Sequence, residues 1–342
     1  MGEVVSDIYR DEGRSPVELP FTARPGGAPA NVAVAAARLG QEAAFVGGVG
    51  DDLFGNFILR ALEAEGVDTS AVRSCEPPTR TSLAFVEIGE GGDRSFTFYR
   101  SNPAADELLS PEDVSREILS GASFVNFGSI PLLKDPARSA IHAAANLARD
   151  LGVPVAFDVN LREHLWPGLE EAREAVEPLL DLSTIVKLGD DELEPLLGTG
   201  NAQEAAEGLL GSGVSLVLIS LGESGAFYAT REFSGSVPAF EVEAVDTTGA
   251  GDAFLAAALA HLSDDPAGPY EEERVREAAR RGSAAGALAC TDYGAMRALP
   301  TEEELERFMN GGGVTEREGA GRYLIETVRL RVCFKTGIVH LN

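Results

Sequence analysis

The stretch Asp246-Thr-Thr-Gly-Ala-Gly-Asp252 lies between a predicted strand, Phe240–Ala244, and a predicted helix, Ala250–Leu262. Its two glycines permit a tight turn and let the backbone approach a ligand closely. Free N–H groups in the first turn of the helix, together with the helix dipole, form a site for an anion. Such groups can stabilise the charge that spreads over a phosphoryl group during its transfer. The sequence therefore predicts a phosphate site at the start of this helix.

Asp252 is the predicted general base of this site. It falls in the same turn as the glycines, so its carboxylate can reach an attacking hydroxyl and accept its proton. A structural interpretation competes with this one, in which Asp246 caps the helix and Asp252 is a favourable acid in its first turn. The full seven-residue string between a strand and a helix favours the phosphate site, whereas Gly-Ala-Gly alone would not. No Gly-Lys-Ser/Thr follows, so the loop is not of the Walker A type.

The composition is that of a globular protein with a large core. The chain has 342 residues, of which 44% are hydrophobic and 24% charged, and a formal net charge of −27. Such a charge repels nucleic acid, so we expect no nucleic-acid partner. No apolar run approaches the length of a membrane span and the N-terminus has no signal-peptide pattern, so we expect a cytoplasmic protein with no membrane partner. The three cysteines and four histidines lack metal-ligand spacing, which argues against a structural zinc site.

Short apolar runs alternate with longer amphipathic stretches along most of the chain. This pattern predicts βαβ units and hence an α/β protein with an open, mainly parallel sheet flanked by helices. The predicted core strands are Ala43–Val49, Phe124–Phe127, Val155–Asp158, Thr184–Leu188 and Leu216–Ser220. The predicted helices are Ala30–Leu39, Phe54–Glu65, Pro136–Leu151, Leu169–Leu180, Asp190–Leu197, Ala202–Leu210, Ala250–Leu262, Glu271–Ala289 and Glu302–Met309.

One region breaks the alternation and predicts a second, smaller sheet. Thr81–Ile88 and Arg94–Arg100 have the pattern of a hairpin around Gly89-Glu-Gly-Gly92. Together with Val4–Tyr9 and Val17–Ala23, they could form a small β-sheet lid, from about residues 4–24 and 81–100. Such a sheet beside an open α/β core can cover a ligand. An ordinary surface hairpin is the alternative.

The chain divides into one predicted domain, residues 1–310, and a C-terminal extension, residues 311–342, to which no role is assigned. The extension opens with Gly311-Gly-Gly313, a composition typical of linkers. Polar and apolar residues then alternate over Val328–Lys335, as in an edge strand. A disordered extension fits the same residues.

Two signatures, in this order, resemble those of the ribokinase-like (PfkB-type) carbohydrate kinases. The first is Gly26-Gly-Ala-Pro-Ala-Asn31-Val-Ala, followed by Gly47–Gly55, and the second is Asp246–Phe254. The resemblance runs from Gly2 to about Met309. It implies a ribokinase-like fold with a β lid, and the phosphorylation of a small sugar by ATP with Mg²⁺ and, in many members, a monovalent cation such as K⁺. Homodimers through the lid are frequent in this family.

Within the family the chain is most similar to fructokinases. The supporting segments are Pro25–Asn31, Phe98–Arg100, Asp158–Pro167 and Cys290–Ala295. The similarity implies that fructose is converted to fructose 6-phosphate. A kinase for 2-keto-3-deoxygluconate or ribose is the alternative within the family, since Arg100 or Arg162 could bind the carboxylate of an acidic sugar. A catalytically silent regulator that binds sugar or nucleotide is the alternative from another class.

The resemblance assigns a role to each matching residue. Asp252 matches the catalytic base, and the anion hole is matched by Gly249, Ala250 and Gly251. The residues that match the substrate site are Asp7, Gly27, Asn31, Arg100 and Arg162. Those on the nucleotide side are Gly222, Gly225 and Ser283. For the ions, the matching residues are Glu192, which would organise Mg²⁺ through water, and Asp246 and Thr248, which would hold a monovalent cation.

The residue chemistry agrees with a sugar site, and the pattern departs from the family in three places. A carboxylate such as that of Asp7 can accept hydrogen bonds from two sugar hydroxyls. Asp158 is expected at a buried strand end and Lys187 at a solvated or salt-bridged one. Gly189 stands where the family usually has Asn or Ser, and Ser283 where it often has Asn. The family's first strand is usually under way where this chain begins, so we expect part of that strand to be missing.

Overall fold

The computed structural model describes residues 1–10, 17, 19–88 and 94–314. The predicted Gly89–Gly92 turn and the C-terminal extension beyond residue 314, with its Val328–Lys335 pattern, lie outside these residues, as does residue 18 of the predicted strand Val17–Ala23. The strands are β1 Val5–Arg10, β2 Phe21–Gly26, β3 Ala43–Ala44, β4 Gly47–Gly50, β5 Val67–Asp68, β6 Val72–Cys75, β7 Leu83–Ile88, β8 Arg94–Tyr99, β9 Val125–Phe127, β10 Val155–Asp158, β11 Ile185–Gly189, β12 Leu216–Ser220, β13 Ala226–Ala229 and β14 Ser234–Val237. The helices are α1 Ala28–Arg38, α2 Leu53–Ala64, α3 Arg116–Leu119, α4 Ala137–Leu151, α5 Leu169–Leu180, α6 Asp190–Leu197, α7 Ala202–Ser212, α8 Ala250–Leu262, α9 Glu272–Ala289, α10 Ala295–Ala298 and α11 Glu302–Met309.

A six-stranded sheet forms the centre of the described chain, in the order β14-β13-β12-β11-β10-β9. Strands β9 to β12 are parallel, and β13 and β14 continue the sheet in antiparallel fashion. Alternate residues point to opposite faces, so that Val155 and Phe157 pack into one apolar core and Ala156 into the other. Both faces are buried under helices, which explains why these strands appear in the sequence as continuous apolar runs. The predicted α/β architecture is confirmed.

Helix α8 is buried along almost its whole length and packs mainly against α9 and α1. A close approach of α9 is possible because residue 282 is a glycine. A Cβ at Gly282 would lie 2.8 Å from the Phe254 ring and 2.9 Å from the Phe254 carbonyl oxygen. The packing of α8 fixes the position of its first turn, and therefore of Asp252.

Two predicted strands differ from those observed. Phe240–Ala244 is outside any strand, and β14, which ends at Val237, is the last strand before α8. The ladder ends there because Pro238 has no N–H to donate. The predicted strand Ala43–Val49 is divided: β3 pairs with β5 and β4 pairs with β6, while the Phe45 N–H donates to the Asp68 carbonyl oxygen at 2.9 Å.

The predicted second sheet is present as four strands in the order β2-β1-β7-β8. Its second strand begins four residues later than predicted, at Phe21. One row across the sheet places Asp7 beside Arg24 and Ala84, and Ala84 beside Phe98. Side chains in such a row share one face of the sheet. The sheet therefore presents Asp7 and Phe98 on the same side.

The lid sheet is connected directly to the core by its first strand. The Gly2 N–H donates to the Val46 carbonyl oxygen at 3.0 Å, and the Ser6 N–H donates to the Ser82 carbonyl oxygen at 3.0 Å. The chain thus passes from a core contact into the lid within four residues. β2 returns to the core at Gly26, immediately before α1. Within the described ranges, every helix is too short or too polar to cross a bilayer.

Replacing Gly282 with alanine is expected to destabilise the fold by roughly 1–3 kcal/mol, because the added methyl group meets Phe254 in a filled interface. Gly208→Ala is the matched control, since it also lies inside a helix but its Cβ would have no neighbour within 4 Å. That control is expected to stabilise the protein by about 0.5–1 kcal/mol through helix propensity. Urea unfolding measures both, and equal effects would contradict the tight α8–α9 contact.

Candidate active site

The first turn of α8 offers two unpaired backbone donors. Gly249, the N-cap, has a φ of 84°, which brings the chain round sharply into the helix. The Ala250 N–H donates a hydrogen bond to the Thr247 carbonyl oxygen at 3.2 Å, and the Ala253 N–H donates one to the Gly249 carbonyl oxygen at 2.8 Å. Among the described residues, no acceptor is found for the N–H groups of Gly251 and Asp252. Two such donors at the positive end of a helix can bind an anion.

The Asp252 carboxylate lies directly at this site. Its Oδ2 accepts a 2.7 Å hydrogen bond from Asn31 Nδ2, so the starts of α1 and α8 meet here. Burial raises the pKa of Asp252 to about 6, and the Asp158 carboxylate adds to the increase. The Asn31 hydrogen bond and the cations of Lys187 and Arg162 act in the opposite direction. A carboxylate of this kind is ionised at neutral pH and is more basic than an exposed aspartate.

An ion pair lies beneath the turn. Lys187 Nζ is 3.1 Å from Asp158 Oδ1, and both side chains are buried. Asp158 is the last residue of β10, as predicted. The salt bridge expected for Lys187 is present, but Lys187 is the central residue of β11 rather than its end, and its side chain is buried rather than solvated. A Cβ on Gly251 would lie 2.8 Å from Lys187 Nζ. Glycine at position 251 therefore leaves the space that the ammonium occupies.

Glu192 is held by the backbone of two segments. Its Oε1 accepts from the Leu161 N–H and its Oε2 from the Gly189 N–H, both at 2.5 Å. Burial raises its pKa, and Lys187 counteracts that effect. The described part of the chain contains no group of three acidic, His or Cys side chains that could hold a metal by themselves.

Asp7 faces this site from the lid. No hydrogen-bond or ion-pair partner of its carboxylate is found among the described residues. Burial raises its pKa to about 7, with smaller contributions from Asp246 and Asp252. A Cβ on Gly26 would lie 2.1 Å from Asp7 Oδ2, so the neighbouring strand needs glycine at this position. Gly27 follows with a φ of 105° and also leaves no space for a side chain, because its Cβ would meet the Glu3 carbonyl oxygen at 2.7 Å.

The two predicted arginines differ in their surroundings. Arg100 Nη2 is 3.1 Å from Asp106 Oδ2, and the guanidinium lies 5.1 Å from the centre of the Phe98 ring. Ser82 donates to Asp106 as well, at 2.5 Å. Arg162 has no ion-pair partner in the described ranges, and its charge reaches Asp252. Arg162 is therefore available to a ligand, whereas Arg100 is already paired.

The residues predicted for the nucleotide meet at one segment. Gly225 adopts φ 97° and ψ −127°, and a Cβ there would lie 2.1 Å from the Val237 carbonyl oxygen. The Ser283 hydroxyl donates to the Pro238 carbonyl oxygen at 3.3 Å. The loop after β12, which includes Gly222, and helix α9 thus converge on residues 237–238.

Asp246 ties two loops together. Its Oδ1 accepts from the Thr248 N–H at 2.8 Å and its Oδ2 from the Gly294 N–H at 2.9 Å. The Arg24 guanidinium, which lies on the lid strand β2, donates to the carbonyl oxygen of Tyr293. A lid strand and the Asp246 loop therefore contact the same short segment, residues 293–294.

Two buried acids near the site were not predicted from the sequence. Glu3 has a pKa raised to about 8, chiefly by burial, and it interacts with the charges of Asp106, Arg100 and Asp252. Its Oε2 is buried and has no hydrogen-bond partner among the residues that the structure describes. Asp106 pairs with Arg100. Each is an acid beside apolar residues, in Gly2-Glu-Val-Val5 and Pro103-Ala-Ala-Asp106, and that pattern was the available signal.

Comparison with known proteins gives one family. The profile of the pfkB family of carbohydrate kinases matches residues 1–302. A probable fructokinase-4 of Arabidopsis thaliana is 42% identical over 313 residues, which cover 91% of this chain and 95% of that protein. Fructokinase-1 of Oryza sativa subsp. japonica is 42% identical over 90% of this chain and 96% of its own length.

Two solved structures are similar throughout. Fructokinase of Vibrio cholerae O395, bound to fructose, ADP and calcium, superposes with a TM-score of 0.81 at 36% identity, covering 90% of this chain and 97% of that one. Aminoimidazole riboside kinase of Salmonella enterica, bound to its riboside and an ATP analogue, gives a TM-score of 0.79 at 34% identity, covering 90% and 98%. Both have sugar-derived and nucleotide ligands bound.

Replacing Asp7 with asparagine is expected to stabilise the ligand-free protein at pH 8 but not at pH 4. The folded pKa of about 7 exceeds the unfolded value of 3.8. The protonated carboxyl therefore favours folding below pH 4, and this stability is lost as the pH rises through 7. The difference is on the order of 4 kcal/mol, since one pKa unit corresponds to about 1.4 kcal/mol.

Urea unfolding across this pH range measures the effect. The control is Asp264→Asn, the same substitution at an exposed site. If the free energies of unfolding of wild type and Asp7→Asn run parallel between pH 4 and 8, the ionised Asp7 carboxylate does not destabilise the protein.

Proposed function

The chain belongs to the pfkB family of carbohydrate kinases, and from this we propose that it transfers the γ-phosphoryl group of ATP to fructose, giving fructose 6-phosphate and ADP. The observation that carries the proposal is that the Asp252 carboxylate lies beside the N–H groups of Gly251 and Asp252, for which the described residues offer no acceptor. The Asp7 carboxylate faces the same site and has no partner among those residues. The fructokinases among its relatives supply the choice of sugar.

The site residues divide the work of the reaction. Asp7 and Asn31 accept and donate hydrogen bonds to sugar hydroxyls and bring the primary hydroxyl to Asp252. Asp252 takes the hydroxyl proton as the oxygen attacks the γ-phosphorus. The N–H groups at the start of α8, with Arg162, stabilise the charge on the phosphoryl oxygens. The lid excludes water, which is the competing acceptor.

Two cations complete the proposal. Glu192, held in place by two backbone N–H groups, would anchor the water shell of Mg²⁺, which neutralises phosphate charge when it is bound. A K⁺ ion would be held at Asp246 and Thr248, in the loop that also contacts Gly294. Gly222, Gly225 and Ser283 would border the nucleotide, because two of them meet at residues 237–238.

The surroundings of Arg100 argue for a neutral sugar. A kinase for 2-keto-3-deoxygluconate needs a cation for the substrate carboxylate. Arg100 is already paired with Asp106 and stacked on Phe98, so its charge is compensated. Asp7 and Asp252 also place carboxylates on the sugar side, and these disfavour an anionic substrate.

With ATP and Mg²⁺, fructose is expected to give the highest kcat/KM in a panel that includes ribose and 2-keto-3-deoxygluconate, by roughly 100-fold, because a polar site rejects sugars that leave its groups unpaired. A coupled ADP assay measures turnover, with K⁺ present and absent. Faster turnover of another sugar would overturn the choice of fructose. Binding of fructose and ATP by calorimetry without ADP formation would instead favour the silent regulator.

Asp252→Asn tests the mechanism in the same assay. It is expected to lower kcat about 10²–10⁴-fold, the usual contribution of a general base, with little change in fold. Asp264→Asn, at an exposed position, should leave kcat unchanged. Activity retained by Asp252→Asn would exclude Asp252 as the base.

We also propose a homodimer through the outer face of the lid, with a second copy of this chain as the occupant. On the face opposite Asp7, Phe21 packs edge-on against Phe85 with ring centres 5.3 Å apart, and Phe85 contacts Tyr99 at 4.9 Å. Phe21 remains 42% exposed and Tyr99 61% exposed. An exposed aromatic sheet face is typical of an interaction surface.

Phe21→Ser with Tyr99→Ser is expected to weaken dimerisation at least about tenfold, corresponding to 1.4 kcal/mol. Light scattering after size-exclusion chromatography measures the mass over a concentration series. Leu169→Ser is the control, because Leu169 has a similar exposure of 38% but lies on α5, outside the lid. A monomeric wild type, or equal effects of both variants, would refute the lid interface.

A further inference from the structure

Lys187 is a cationic side chain in a buried position. Among the lysines and arginines whose side-chain burial the structure describes, only Lys187 is buried, with 5% of its surface exposed. Burial lowers the pKa of Lys187, but the neighbouring acids Asp158 and Glu192 more than compensate, so its pKa is raised overall and the ammonium keeps its charge. Burying a charge of this kind destabilises the fold unless the charge is paired with good geometry.

The acids around Lys187 outnumber it. Asp158, Glu192 and Asp252 are each at most 7% exposed, and Lys187 lies among them. Like charges in a poorly hydrated space raise each other's pKa, and the Asp158 carboxylate already raises that of Asp252. Glu192 is stabilised by two backbone N–H groups, whereas the carboxylate of Asp252 accepts one hydrogen bond from the described residues, that of Asn31.

The backbone makes room for this cation. Lys187 Nζ lies 2.8 Å from the point where a Cβ of Gly251 would be. Glycine is thus required at position 251 for two reasons. A side chain there would obstruct the approach of a phosphate, and it would also occupy the space of the Lys187 ammonium. Asp158, at 3.1 Å, fixes the ammonium from the other side.

We propose that Lys187 is a positioning residue for phosphoryl transfer, which keeps the Asp252 carboxylate ionised and supports the Gly249–Gly251 turn from below. This inference deepens the proposed function and depends on it for the role of Asp252. Lys187 acts through Asp252 and Gly251, and the acceptance of the sugar proton stays with Asp252.

Asp252 is faced by charged and polar groups from several elements. The strands contribute Asp158 from β10 and Lys187 from β11, and the loop after β10 contributes Arg162. Helix α1 contributes Asn31, and the N-terminal segment contributes the acids Glu3 and Asp7. Lys187 and Arg162 are the cations in this set, and only Lys187 is held in place by a buried partner.

Lys187→Met removes the charge but keeps the length of the side chain. The acid limb of the pH profile of kcat/KM is expected to move upward by about one pH unit or more, the size of shift that a neighbouring opposite charge causes. Because the pKa of Asp252 is about 6, the loss of activity should therefore be at least about fivefold greater at pH 6 than at pH 9. Lys187→Arg keeps the charge and should leave the limb in place. An equal loss at every pH would reduce Lys187 to a structural role and overturn the proposal.

A second measurement needs no turnover. In the ligand-free protein at pH 8, Asp252→Asn should stabilise the Lys187→Met background more than the wild type, because the uncompensated carboxylate is then removed. Urea unfolding of the four proteins gives this comparison. Equal gains in the two backgrounds would overturn the proposal even if the sugar panel succeeded, and a failed sugar panel would leave this test intact.

If Lys187→Met does not fold, Asp158→Asn provides the background. Replacing both members of a buried ion pair is far better tolerated than removing one. Asp252→Asn is then compared in Asp158→Asn and in Asp158→Asn/Lys187→Met, with the larger gain again expected where Lys187 is absent. Equal gains would contradict the proposal here too.

Discussion

The cost of burying carboxylates governs the arrangement of this molecule. Water no longer solvates a buried carboxylate, so each one must find protein partners, keep a proton or wait for a ligand. Glu192 takes two backbone N–H groups, Asp246 takes two others, and Asp158 takes an ammonium. Asp7 has no partner in the described chain. That difference separates acids that hold the structure together from the acid that, under the proposed function, binds the substrate.

The fold supplies the place where these acids can meet. The carboxyl ends of parallel strands lie at one edge of the sheet, where ligands bind in open α/β folds. Asp158 ends β10 and Gly189 ends β11 at this edge. The helices α1 and α8 begin there as well, joined by the bond from Asn31 to Asp252. Strand ends provide the charges and helix starts provide the donors, so a site forms without any long excursion of the chain.

Much of this could be predicted from the sequence, because the relevant signals are local. The bounds of α8 and α5 follow from apolar spacing and flanking glycines, and the phosphate turn follows from its own residues. Contacts between distant segments could not be predicted in this way. Nothing near Lys187 indicates that its ammonium fills the space left by Gly251. The end of β14 at Val237 likewise depends on pairing with β13, which a propensity pattern over residues 240–244 does not contain.

The row that joins Asp7, Arg24, Ala84 and Phe98 lies at the end of the lid nearest the core, while Arg10 and Phe21 lie at the far end of the same strands. In mechanical terms, a lid that turns about its attachment to the core, where β1 begins at Val5 and β2 ends at Gly26, is a lever. Points near the attachment of a lever move least when it turns. A rotation of the lid would therefore move the Asp7 carboxylate less than the distal aromatic residue Phe21. Under the proposed function, binding of the sugar and closure over it would then belong to different ends of one small sheet.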